Sequence, residues 1–180
     1  MEAQAIDVEQ PELRAPAQLG TDFEVFEQLY PKLRRFAAVV ADLDVDPDDL
    51  VQDALVATIA RHDLATLDSP QAYLKRSILN VASNKRRRAG RLRGILPRLA
   101  TDASVTDHYP SDLSLLVHLG QLDRAVTYLA DVERLPHDDI AKELGLSAAA
   151  VRKRASRART QLRALIDEPH PTDATIRSQR

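Results

Sequence analysis

The stretch from Asp138 to Ile166 constrains this chain more than any other. Two short amphipathic segments meet there at Gly145, and Ala141, Gly145 and Val151 have the spacing of a helix-turn-helix. The first position needs a small side chain where two helices touch. The second needs a residue that tolerates positive φ in a tight turn. The third is a branched apolar plug. Ser147 is placed to cap the second helix, because its hydroxyl can accept from the free N–H groups of the next turn. From Ser147 to Ile166 there is no acid, while Arg152, Lys153, Arg154, Arg157, Arg159 and Arg163 interleave with Val151, Ala155, Ala158, Leu162 and Ile166. At helical period the apolar set shares one face and the cations point outward, as a helix entering a DNA major groove requires. A basic run alone fits a solvated bundle helix equally well. The turn spacing, the cap and the missing acids together favour DNA.

Net charge is −2, which on its face argues against a nucleic-acid binder. The average conceals segregation. Ser69 to Ala100 also lacks acids and holds Lys75, Arg76, Lys85, Arg86, Arg87, Arg88, Arg91, Arg93 and Arg98, so two stretches carry fifteen of the 25 basic residues. Acids collect instead at Asp42, Asp44, Asp46, Asp48, Asp49 and Asp53. Two basic surfaces and one acidic surface imply two kinds of partner: a polyanion and a basic or polar protein face.

The remaining signals are helical. Hydrophobic residues make up 44% of the chain and aromatics only 4%, a balance suited to helices. Cysteine is absent, which excludes disulfides and thiolate metal sites. His62, His108, His118, His137 and His170 have no metal-ligand spacing, so no metal, cofactor or enzymatic chemistry is expected. No apolar run is long enough to span a membrane, and the acidic, Pro-containing start is unlike a secretory signal; a cytoplasmic protein is expected.

In chain order, 1–20 reads as a flexible extension, with Thr21 or Asp22 capping a helix that carries Phe23, Phe26, Leu29, Tyr30, Leu33, Phe36, Ala37 and Val40 inward and is kinked or restarted at Pro31. Asp46-Pro47-Asp48-Asp49 starts a second helix with an N-cap acid, proline at the first position and two acids near the positive dipole end. Asp49, Gln52 and Asp53 project from its side, the last two too far along for dipole stabilisation to explain. After a loop at His62–Asp68, Ser69-Pro70 starts a third helix with Tyr73, Leu74, Ser77, Ile78, Val81 and Ala82 inward, stopping near Gly90 after four consecutive cations. The expected architecture is all-α: a helical domain at 21–90, a flexible linker at 91–110 with a short helix near Ile95–Ala100, a second helical domain at 111–167 and a tail at 168–180. In the second domain one segment ends near Leu119, Gly120 breaks it, and another runs from Leu122 to Val132 ahead of the helix-turn-helix.

These motifs, in this order, resemble a known family. Asp48-Asp49-Leu50-Val51-Gln52-Asp53 is similar to the acid-acid-Leu-Val-Gln-acid helix of bacterial sigma factors. Pro70-Gln71-Ala72-Tyr73-Leu74, then Ile78, Asn80 and Arg86-Arg87-Arg88, resembles the helix that follows it. Leu119 to Val126, then Ile140-Ala141, Leu144-Gly145, Ser147, Val151-Arg152, Arg154, Arg157-Ala158-Arg159 and Leu162-Arg163, resemble the promoter-reading domain. The type resembled is the extracytoplasmic-function (ECF) sigma factor of the sigma-70 family, with two end domains and a linker. Tyr73 stands where tryptophan is usual, Asn84 where an acid is common, Gly120-Gln121 where two prolines are usual, and Lys153 where serine is frequent. The resemblance therefore conveys fold and role but not the promoter sequence.

The resemblance implies a non-enzymatic subunit that binds core RNA polymerase and directs it to promoter DNA. Asp49, Gln52 and Asp53 would meet the clamp helices of the largest subunit, and the second domain would meet the flap of the second-largest. Asn80 would read a base of the unwound minus-10 element, walled by the 62–68 loop, with Lys75, Arg76, Arg86, Arg87 and Arg88 on phosphates. Ser147, Arg152, Lys153, Ser156 and Arg157 would form the minus-35 surface, leaving Arg154 and Arg159 for phosphates or acids. An anti-sigma protein is a further candidate partner, and a membrane is not. The alternatives are a sigma-like interaction protein that sequesters a regulator, or a free-standing helix-turn-helix repressor. The latter has no use for the Asp49–Asp53 surface or Asn80.

Overall fold

The computed structural model describes residues 16–93 and 110–167. The elements are helices α1 (Pro16–Val40), α2 (Pro47–Ile59) and α3 (Pro70–Arg93), then α4 (Gln121–Thr127), α5 (His137–Leu144) and α6 (Ala148–Asp167). Short 3-10 turns at Leu64–Thr66 and Ser111–His118, and a π-helical turn at Tyr128–Val132, complete it. Among the described residues the fold is all-α. The expected helix at Ile95–Ala100 and the tail at 168–180 lie outside them.

Local chemistry sets most boundaries. Asp46 caps α2 by accepting from the Asp48 N–H at 2.8 Å, with Pro47 at the first position. Gly145 ends α5 in the left-handed conformation at φ 67°, and Ser147 Oγ accepts from the Ala150 N–H at 3.2 Å to open α6. Three expectations need correction. First, α1 begins inside the presumed extension and passes through Pro31 as one helix. Asp22 is therefore not a cap: it is buried and accepts from the Ala65 N–H, tying α1 to the loop before α3. Second, α3 runs through Gly90 to Arg93, because one helical glycine costs only about 1 kcal/mol. Third, Phe23 and Ile166, assigned inward, are each 63% exposed: Phe23 points away from the side of α1 that buries Asp22, and Ile166 lies in the last turn of α6.

Leu33, Phe36, Val40, Leu50, Leu74 and Ile78 form the centre of the α1–α3 bundle. Leu129, Ile140, Leu144, Val151 and Ala155 form that of the C-terminal half. The halves are not apart. Their buried residues join in one cluster, and the Phe36 and Tyr128 rings lie 6.0 Å apart across the seam. Gln121 Nε2 donates to Val40 O at 2.9 Å, which caps a free carbonyl at the end of α1. Ser83 Oγ donates to Gln121 Oε1 at 2.8 Å, and Arg35 pairs with Asp112 at 2.5 Å. The two domains read from the sequence are thus closed on each other.

Gly145→Ala should lower stability by about 1 kcal/mol, since an L-residue in this backbone region costs about 1–2 kcal/mol. Urea melts will check it, an unchanged midpoint being the contrary result. Alkaline titration is a second test. The Tyr30 hydroxyl donates to Asp48 Oδ1 at 2.5 Å, and this bond raises the phenol above its ordinary range. The stabilisation from that bond is complete below the unfolded phenol's pKa and is lost as pH rises through the raised folded value. Tyr30→Phe should remove one late component from the ultraviolet titration of the folded protein.

Candidate nucleic-acid interface

The C-terminal surface is built on α6. Val151, Ala155 and Ala158 are at most 1% exposed, which fixes the rotation of the helix. Ala141 and Ile140 of α5 are buried in the same core, with a small side chain at the first helix-turn-helix position. Arg152, Lys153, Ser156 and Arg157 are consequently exposed on the opposite side, with Ser147 at the helix start. That is the geometry of a helix that can present cations and a hydroxyl to a groove.

Several of these cations are held by acids. Asp123, at the start of α4, accepts from Arg154 at 2.8 Å and from Arg157 at 2.5 Å. Asp131 accepts from Arg159 at 2.6 Å, a bond that raises the guanidinium pKa further. Arg152 lies 3.8 Å from Asp138. Arg157 keeps 57% of its side chain in solvent, so its pair anchors one end of the fork without burying it. Asp123 and Asp131 were not singled out in the sequence. Nothing local marks them, since their partners lie 28 to 34 residues away.

The N-terminal surface divides in two. On α2, Asp49, Gln52 and Asp53 are exposed and lie at helical spacing on one side, and Asp53 is bridged to Lys85 of α3 at 2.8 Å. Asp48 faces elsewhere, accepting from Tyr30 and Arg34. On α3, Asn80, Arg86, Arg87 and Arg88 are exposed, and Arg87 also donates to Asn84. The loop before α3 is ordered by buried Leu64, and His62 packs edge-on against Tyr73 at 5.0 Å.

Lys75 and Arg76 depart from expectation. Lys75 is not open to a phosphate in this arrangement, whereas Arg76 stays exposed with part of its guanidinium engaged. Lys75 is fully buried, 2.5 Å from Glu133 and 3.1 Å from Glu143, with its ammonium 5.7 Å from the Phe36 ring centre. Arg76 donates to the carbonyls of Glu143 and Lys142 at the C-terminal end of α5. The α3 edge therefore grips the turn of the helix-turn-helix. Among the described residues no group of acids and histidines could hold a metal ion, and no helix is long and apolar enough to cross a membrane.

Comparison with known proteins follows the same division. Residues 25–92 match the family Sigma-70 region 2, and residues 113–162 match Sigma-70, region 4. The RNA polymerase sigma-E factor of Streptomyces avermitilis is 34% identical over 138 residues, covering 73% of this chain and 76% of that one. The chain belongs to the ECF sigma factors of the sigma-70 family. A second relative, the RNA polymerase sigma factor NccH of Alcaligenes xylosoxydans xylosoxydans, is 30% identical over 139 residues, covering 67% of this chain and 73% of the other. The sigma factor RpoE, solved with the anti-sigma factor NepR from Bartonella quintana, has the same fold at a TM-score of 0.65 and 24% identity, over 83% of this chain and 99% of that one. A sigma factor binds core RNA polymerase and confers promoter-specific initiation, and members of the family are regulatory subunits.

Asp123→Ala should release Arg154 and Arg157 together. With Arg157 exposed and Arg154 partly so, the stability loss should stay within about 1–2 kcal/mol. The larger effect should fall on sequence selection: a duplex-binding assay should show a smaller gap between specific and non-specific affinity, and an unchanged ratio would count against a positioning role.

Proposed function

We propose that this sigma factor divides its labour between the two halves as its exposed side chains suggest. The observation that carries the reading is the outward face of α6, where Arg152, Lys153, Ser156 and Arg157 stand clear of a core made by Val151, Ala155 and Ala158. That face would enter the major groove at the minus-35 element, with Ser147 near the backbone. A good Arg–guanine pair there is worth about 1–3 kcal/mol of discrimination.

In the N-terminal half, Asn80 would take a base edge of the unwound minus-10 strand, and Arg86, Arg87 and Arg88 would hold phosphates beside it. Arg76, exposed beside α5, would add to them, and Lys75 would join only when α3 is free of α5. The anionic side of α2, with Asp49, Gln52 and Asp53, would dock on the clamp helices of the largest polymerase subunit, and the C-terminal half on the flap of the second-largest. The chain itself does no chemistry in this reading, works in the cytoplasm, and uses 91–110 to span the two DNA elements. An anti-sigma protein is a further partner, in keeping with the complex in which the RpoE fold was solved.

Run-off transcription with core polymerase and mapped start sites tests the division. Asp53→Lys should weaken core binding about tenfold or more through charge reversal at the docking face. Arg157→Ala should leave core binding intact and reduce promoter-specific product about tenfold, the equivalent of one lost base contact of about 1.4 kcal/mol. Full selectivity in Arg157→Ala would remove α6 from the reading.

A further inference from the structure

One buried carboxylate belongs to none of the surfaces that face polymerase or DNA. Asp22 lies inside α1, away from either end, and is 5% exposed. Val25, Phe26 and Leu29, over the next two turns, pack against the apolar core. A carboxylate in such a place costs stability unless it is hydrogen-bonded, and an apolar side chain of similar size would pack without that cost. The packing of α1 therefore does not call for an acid at this position.

The loop after α2 does. Its 3-10 turn, Leu64–Thr66, starts at Asp63, whose side chain makes no capping bond. The first N–H groups of a helical turn have no partner within it. Asp22 Oδ1 accepts from the Ala65 N–H at 3.3 Å across 43 residues, and so does for this turn what a local cap would do. The rest of the loop is held by packing: Leu64 is fully buried, Leu67 partly so, and His62 lies edge-on to Tyr73 at 5.0 Å. Between these anchors Ala65 and Thr66 are exposed. Packing fixes the flanks of the loop, and the bond to Asp22 fixes the backbone of its exposed middle.

Tyr73 and Asn80 are seven residues apart on α3, which puts them on one side of the helix at about 10 Å from each other. The loop docks on Tyr73 through His62, so it borders the side that carries the exposed Asn80. A base drawn out of the stack is read by a pocket that fits it closely. A wall made of loop backbone discriminates between bases only if it is held still, because loops place groups less accurately than helices.

We propose that Asp22 is a positioning residue for minus-10 recognition: its carboxylate, through the Ala65 N–H, holds the exposed middle of the 62–68 loop in the conformation against which an extruded base is read. The inference rests on the reading above that puts Asn80 and this loop on the minus-10 strand. Asp22 itself touches no DNA. Without it the wall moves and wrong bases are accommodated, while the α2 docking face and the minus-35 face keep their geometry.

Amide hydrogen exchange of the full chain tests the anchor without any variant. The Ala65 N–H should exchange at least tenfold more slowly than a solvated amide of the same intrinsic rate, and free exchange overturns the proposal. Asp22→Ala should speed that exchange at least tenfold, with helical circular dichroism and core-polymerase binding retained. Run-off with core polymerase, from promoters carrying each of the four bases at every minus-10 position, should then show at least a fivefold weaker preference for the best base. The preference at minus-35 should stay as it was. Asp22→Asn keeps an oxygen acceptor and should hold the minus-10 preference within twofold of the unsubstituted chain. An unchanged minus-10 preference in Asp22→Ala, an equal loss at both elements, or a loss in Asp22→Asn as large as in Asp22→Ala overturns the proposal. Asn80→Ala separates the two failures. If it too leaves the minus-10 preference intact, the reading of this surface fails, while the exchange of Ala65 still decides whether Asp22 holds the loop.

Discussion

A lysine with no exposed side-chain surface is the physical constraint on which the arrangement of the two halves depends. Taking an ammonium out of water costs several kcal/mol, and only close partners of opposite charge offset it. Glu133 and Glu143 supply them from the far side of the seam, and the Phe36 ring adds an aromatic face. The pairing is therefore conditional: it is favourable only while α3 and α5 remain together. Separation would rehydrate all three charges, but it would also expose the apolar part of the same seam, where Phe36 packs beside Tyr128.

The positions of the two glutamates are themselves set by strained or special backbone. Glu133 ends the π-turn and is followed by Arg134 at φ 60°, the sole non-glycine with positive φ among the described residues. A residue that rarely adopts this conformation is held there, and the chain turns into α5 through a bond from the Leu135 N–H to Leu129 O at 3.0 Å. Glu143 lies two residues before Gly145, whose left-handed cap ends α5 where Arg76 donates to the Lys142 and Glu143 carbonyls. The turn that leads into α6 is thus also the surface that α3 grips.

Charge does different work on the two sides of α6. Inward, alanines and Val151 fix rotation by close packing. Sideways, Asp123 and Asp131 on the preceding helical segments hold Arg154, Arg157 and Arg159 in place, limiting the rotamers that a flexible arginine would otherwise sample. Much of the chain's negative charge is spent on orienting its own cations, so a net charge of −2 is compatible with a DNA-binding surface.

The sequence alone determined what depends on neighbours a few residues away. Asp46-Pro47 had to start α2, Ser147 had to cap α6, and Gly145 had to supply positive φ, because capping and backbone sterics act over one turn. The period of Val151, Ala155 and Ala158 likewise decided which face of α6 is buried. The tertiary structure alone decided where the charges end. Lys75 meets Glu133 across 58 residues; its spacing to Ile78, Leu79 and Ala82 puts it on the buried stripe of α3, but nothing local to α3 names the acids that receive it. A charge pair has no sequence period: it exists only after the halves have packed, and in this chain that packing turns a lysine expected on DNA into the buried centre of the seam.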